Sequence, residues 1–203
     1  MNNLTNTAKK LDKILEIARI VLGALAVAAV VFIILIGLAY VMGWDPEFIG
    51  TGYAIFNIGF LELEAAPGYG PDPWLVLAHG AFSLAVSILL LLDGRRGITY
   101  IRNILQPMTE EKPFGSCASA NLKKLAKLSI RIGILWNIIS LSEMIVMSYV
   151  YDLPGLLLSE KISHIGATFQ VDLSFLIFWA IFILLSYVFQ YGQELQQLSD
   201  ETL

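Results

Sequence analysis

Residues 20–42 read IVLGALAVAAVVFIILIGLAYVM, 23 positions without one charged side chain. At the rise of an α-helix this run is about 35 Å long, enough to cross a bilayer core of about 30 Å. Pro73–Leu92 is likewise uncharged, Ile132–Tyr151 carries only Glu143, and the run from Leu173 stays uncharged through Phe189 to Gln193. Composition agrees: 57% of the residues are hydrophobic, against about 45–50% for a soluble domain, and the mean hydropathy is +0.70. The expected fold is an all-α membrane protein of a single domain over 1–203, with spans at about 20–42, 73–92, 130–151 and 172–191. A cleaved signal peptide does not fit the first run, which exceeds a signal core of about 7–15 residues and lacks a convincing small-residue cleavage site.

Lys and Arg set the expected orientation, because acids carry little topological weight. Lys9, Lys10, Lys13 and Arg19 precede the first span, and eight more lie between Arg95 and Arg131; only Lys161, of 13 in all, falls elsewhere. Both termini and the central segment are therefore expected in the cytoplasm. The opposite side is acidic, with Asp45, Glu47, Glu62, Glu64, Asp72, Asp152, Glu160 and Asp172. The net charge of −4 says little, since it is divided between two sides. The lone Cys117 excludes an internal disulfide.

The helices are expected to outrun the bilayer. Leu11, Ile14, Leu15 and Ala18 recur at helical spacing ahead of the first span, with Thr5, Asn6 or Thr7 as a cap. Ile98, Ile101, Ile104, Leu105 and Met108 continue the second, until Pro107 limits it. A third helix is expected from Ser119, capped by Ser116 or Ser119, and the fourth to run on through YGQELQQLSDETL. These extensions either bundle or lie on the inner leaflet. TGYAIFNIGFLELE (51–64) and KISHIGATFQVDLS (161–174) look extended and are expected to pair as a two-stranded outer cap. Trp44, Trp74, Tyr53 and Tyr69 fit an outer aromatic belt, Ser83 and Ser87 suit close helix packing, and Trp136 and Trp179 are expected in the core.

No phosphate-binding loop, nucleophile elbow or H-E-x-x-H motif is present. Two histidines and one cysteine do not build an ordinary zinc site. The expectation is a non-enzymatic chain with no catalytic residue, metal, cofactor or direct nucleic-acid contact. The group that stands out is Glu143, since an acid within a span is costly and faces a cavity, a partner or the bundle interior. It lies at a depth similar to that of His79, so an outward polar pocket of His79, Ser83, Asn137, Ser140 and Glu143 is one expectation. A structural role for a neutralised Glu143 is the other.

ILQPMTEEKPFGSCASANLKKLAKLSIRIGIL (104–135) reads as a helix end, a turn at Lys112-Pro113-Phe114-Gly115 and a new helix. With VFQYGQELQQLSDETL (188–203), it resembles the YoaS-like family of bacterial four-span membrane proteins, a domain of unknown function. The matching positions are Pro113, Phe114, Asn121, Leu125, Gly192, Leu195, Gln196, Asp200, Thr202 and Leu203; acidic Glu110-Glu111 stand where a glycine is usual. The resemblance implies a membrane partner for a small helix-turn-helix regulator. The expected docking surface is Lys112, Pro113, Phe114, Asn121, Lys123, Lys124, Gly192, Leu195, Gln196 and Asp200. The basic hairpin with Lys127 and the acidic tail of Glu194, Asp200 and Glu201 are expected to pair, or to be exposed by a helix shift. Two alternatives stand beside this regulatory reading. One is a transporter component, pore-forming as a homo-oligomer, with Glu143 as its ion site; the other is an envelope-stress protein acting on lipids.

Overall fold

The computed structural model describes residues 2–44, 55–58, 61–64, 72–109, 117–150 and 170–201. Four long helices account for most of them: α1 (Asn2–Val41), α2 (Pro73–Thr109), α3 (Ala118–Ile145) and α4 (Ser174–Glu201). Each is long and apolar enough to cross a membrane, so the chain is an all-α, four-helix membrane protein. A π-helical turn, Val146–Val150, prolongs α3. Two short strands, β1 (Ile55–Ile58) and β2 (Leu61–Glu64), pair antiparallel with Ile55 opposite Glu64 and Ile58 opposite Leu61.

Local chemistry accounts for the helix ends. Asp72 caps α2: its carboxylate accepts from the Trp74 amide at 2.8 Å, and Pro73 occupies a first-turn position where its missing N–H costs nothing. Asp172 caps α4 in the same way, accepting from the Ser174 amide at 2.8 Å and from the Ser174 hydroxyl. At the end of α1, Gly43 adopts φ +67, its amide donates to the Tyr40 carbonyl and the Trp44 amide donates to Ala39. That is a Schellman stop, and the left-handed residue favours glycine. At the start of α3, the amide and side chain of Asn121 both donate to the Cys117 carbonyl, at 3.0 and 2.9 Å.

Several sequence expectations change. Thr5, Asn6 and Thr7 lie inside α1, which already begins at Asn2. Ser119 is a buried helical residue rather than a cap, and Ser116 lies outside the described residues. Pro107 keeps its expected place near the helix end, since α2 runs to Thr109, two residues beyond it. Within the 51–64 stretch, 55–58 pairs with 61–64, so the stretch holds two strands rather than one awaiting a partner. Of the 161–174 stretch, 170–173 leads into the Asp172 cap and is not a strand; 161–169 lies outside the described residues. Trp136 and Trp179 are exposed, not core. Tyr53 and Tyr69 lie outside the described residues, while Trp74 meets Tyr40 edge-to-face with centroids 4.7 Å apart.

Packing divides the chain into two compact units, each discontinuous in sequence. The first comprises Met1–Ala28, Ile88–Trp136 and Asp172–Leu203; the second comprises Ala29–Ser87 and Asn137–Val171. In the first, α1 and α2 run antiparallel, with Leu22 against Gly94 and Asp12 against Arg102. The α2–α3 pair is antiparallel too: Gly97 admits the Leu128 side chain, and a Cβ there would stand 3.2 Å from its Cδ2. Its core is the start of α3, where Ala118, Leu122, Leu125, Ala126 and Leu128 are buried. α4 belongs wholly to this unit, packing Phe175 on the bare backbone of Gly133 and bringing Tyr187 to Lys123. Its uncharged run thus lies along the basic half of α3.

Most large apolar side chains along α1 from Ile14 to Val41, and along α4 from Leu176 to Val188, point outward. Large exposed apolar surface of this kind needs a solvent other than water. Backbone bonds satisfied within each helix are what a hydrocarbon solvent demands.

Candidate functional site

Asp93 is the first charge after the uncharged run of α2, and Arg131 is the last before that of α3. The fold brings the two together. Asp93 has no exposed surface, its Oδ1 accepts from Arg96 Nη1 at 2.9 Å, and Arg131 Nε stands 2.7 Å from Oδ2. The Arg131 contact is one of charge rather than a directed hydrogen bond, because Oδ2 accepts no hydrogen bond of good alignment among the described residues. A buried carboxylate is costly to desolvate and requires such partners. On the other side of α2, the Arg95 guanidinium lies over α1, where a Cβ on Gly23 would sit 3.2 Å from Nη1.

About two turns further along α2, Arg102 grips α1. Its Nε donates to Asp12 Oδ1 at 2.6 Å and its Nη2 to Oδ2 at 3.1 Å, with Glu16 Oε2 at 3.4 Å from the same Nη2. This two-point fork uses the planar geometry of guanidinium and carboxylate. Beside it is a groove of about 390 Å³ lined by Asp12, Arg19, Thr99, Arg102, Asn103 and Gln106. A second groove, about 370 Å³, opens between α2 and α3 against Asn103, Gln106, Pro107, Cys117, Ala120, Asn121 and Lys124. Lys123 Nζ lies 5.7 Å from the Tyr187 ring centre and Lys124 Nζ 5.5 Å from that of Tyr100. Such contacts suit lysines whose stems lie along apolar surface.

The expected docking residues are distributed unevenly. Asn121 is buried and Lys124 exposed, and both line the second groove. Lys123 is exposed on the Tyr187 side. On α4, Leu195 is exposed, and Gly192 and Gln196 are half-buried. Asp200 belongs to the last turns of α4. Lys112, Pro113, Phe114, Thr202 and Leu203 lie outside the described residues. The expected pairing of basic hairpin and acidic tail is not formed by the described side chains: Lys123 and Lys124 meet tyrosines, and Glu194 accepts from Gln190 at 3.4 Å.

The expected polar pocket is only partly assembled. In the second unit, His79 Nε2 lies 3.4 Å from Ser83 Oγ and 3.5 Å from Ser142 Oγ. Ser142 takes the place expected of Glu143, which is exposed one position further along α3. A single helical step turns a side chain by about 100°, so the two cannot share one face. Asn137 and Ser140 are half-buried on the same helix. Sequence reasoning missed Asp93, Arg96, Arg131 and the Asp12–Arg102 fork. The available signal was an acid at a span end with an arginine three residues on, at salt-bridge spacing.

No family model matches the chain, and comparison with curated proteins and with solved structures likewise gives no match.

Proposed function

We propose that the chain is a non-enzymatic regulatory membrane protein whose basic end docks a small helix-turn-helix transcription factor on the cytoplasmic side of a bacterial inner membrane. The observation that carries this reading is the groove between α2 and α3, where Asn121 and Lys124 meet Gln106 and Pro107. Two of the family-like or basic positions of the central segment thereby become one surface. The fork of Arg102 on Asp12 and the Asp93–Arg131 contact tie α1, α2 and α3 around it. A docking surface benefits from such rigidity, because less ordering entropy is lost on binding. The resemblance of 104–135 and 188–203 to the YoaS-like family supports the choice of partner, and the Lys/Arg distribution supports the side.

The transporter reading has less support, because Glu143 is exposed and its neighbour Ser142 makes the contact to His79. The test is affinity capture from cross-linked cells of the native host, with Lys123→Glu/Lys124→Glu alongside. Recovery of one small DNA-binding protein, lost in the double variant, is the expected result. Equal recovery from both samples, or no soluble regulator in either, would refute the docking surface.

A further inference from the structure

The Asp93 cluster leaves positive charge unspent. Asp93 is wholly buried, while the side chains of Arg96 and Arg131 are 55% and 51% exposed. One carboxylate thus gathers two guanidinium groups, one from each of two helices. Each guanidinium has five N–H donors. Arg96 directs one to Asp93 Oδ1, and Arg131 meets Oδ2 without an aligned hydrogen bond. The carboxylate positions the pair without neutralising it, leaving a net charge of one.

The surroundings on both helices are amphipathic in the same sense. On α2, Leu89, Leu92, Asp93 and Arg96 follow the spacing of one helix face, and both leucines are exposed. On α3, Ile134, Arg131 and Lys127 do the same, and Ile134 and Lys127 are exposed. Each face therefore passes from apolar to charged where the uncharged run ends, with Arg96 and Arg131 within one turn of that point. Lys123 and Lys124, over Tyr187 and Tyr100, continue the polar side, a Lys/Tyr arrangement suited to the headgroup layer.

We propose that the α2–α3 junction binds the phosphate of an anionic phospholipid. Arg96 and Arg131 hold the phosphate oxygens, Asp93 holds the two arginines in position, and acyl chains lie along Leu89, Leu92 and Ile134. Basic sites between helices at the cytoplasmic boundary are suited to such headgroups, and the planar guanidinium fork matches phosphate geometry. The ligand chemistry is a phosphate monoanion; the apolar face selects its lipid-borne form over free phosphate. This inference is independent of any docked regulator.

The purified full chain in a zwitterionic detergent is titrated with phosphatidylglycerol or phosphatidylcholine, and bound lipid is counted by native mass spectrometry. One phosphatidylglycerol is expected to be retained at concentrations tenfold below those needed for phosphatidylcholine. That comparison needs no variant. Arg96→Gln/Arg131→Gln is expected to abolish the preference, and Arg96→Lys/Arg131→Lys, which keeps the charge but loses the fork, to weaken it. Lys9→Gln/Lys10→Gln, whose charges are far along α1, is expected to leave it intact. Equal retention of the two lipids by the unmodified chain would overturn the proposal. So would a preference that survives Arg96→Gln/Arg131→Gln in a folded variant. Displacement of the lipid by millimolar inorganic phosphate would also overturn it, assigning the site to the free anion.

Discussion

Arg131 Nε stands 2.7 Å from Asp93 Oδ2, joining the charges that border the uncharged runs of α2 and α3. Removing one partner of a buried pair leaves the other charge uncompensated, at a cost of about 3–5 kcal/mol. Arg131→Gln leaves the buried Asp93 carboxylate with Arg96 alone and is expected to cost about 3 kcal/mol, the low end of that range. Asp93→Ala leaves only half-exposed guanidinium groups, which water can solvate, and is expected to cost less. Thermal unfolding in detergent, carried through Asp93→Ala, Arg131→Gln and the double variant, gives the coupling between them. A strictly additive double variant would show that the contact contributes nothing.

Gly133 is where α4 touches the backbone of α3. A Cβ at this position would overlap the Phe175 ring, and the overlapping atoms include Cβ and Cγ, which cannot swing aside. Overpacking of this type costs about 1–3 kcal/mol, so Gly133→Ala is expected to lower the melting temperature. Phe175→Ala removes the overlapping ring but keeps the overlapping Cβ, so it is expected to reduce that sensitivity without abolishing it. If Gly133→Ala is as stable as the parent, α4 does not pack here.

Asp172 gives the fourth helix an acid-sensitive start. Hydrogen bonds from the Ser174 hydroxyl and amide hold its carboxyl below the ordinary value of 3.8. A lowered folded-state pKa means stability that is fully present above the unfolded value and lost as pH falls through the folded one. The contribution is thus complete above about pH 4 and fades below it. Asp172→Asn keeps a capping oxygen that does not titrate in this range. The stability difference between the two chains, measured from pH 6 to pH 2, is expected to shrink on acidification; a constant difference would separate the cap from its charge.

The four spans were legible in the sequence because a long uncharged run has few other uses. What each span faces was not. Trp136 and Trp179 look like core residues, yet in a helix that is apolar all round nothing in its own sequence marks the lipid side. The Asp93 cluster was illegible for a different reason. Its partner Arg131 lies on another helix, and only the register of α2 against α3 distinguishes a buried carboxylate from an ordinary charge at a span end. The β1–β2 pairing was not legible, because imperfect alternation over 51–64 marks extended chain without marking where one strand ends and the next begins. Within the 104–135 stretch, Asn121 and Lys124 line a common groove, which depends on the packing of α2 against α3 and not on their own spacing.

His79 and the polar face of α3 supply the sharpest distance test. Ser142 Oγ lies 3.5 Å from His79 Nε2, whereas Glu143 is exposed one helical step away. In a Cys117→Ala background, His79→Cys/Ser142→Cys is expected to form a disulfide readily under mild oxidant, because opposed positions on packed helices suit disulfide geometry. His79→Cys/Glu143→Cys is expected to cross-link at least tenfold more slowly. The same arrangement gives the Glu143 charge no part in the His79 contact, so Glu143→Gln is expected not to destabilise the fold by more than about 0.5 kcal/mol. A faster 79–143 cross-link, or a large loss of stability in Glu143→Gln, would turn α3 by one residue and return the carboxylate to the histidine. That rotation would revive an intramembrane acid as the centre of the protein's chemistry, at the expense of the basic end.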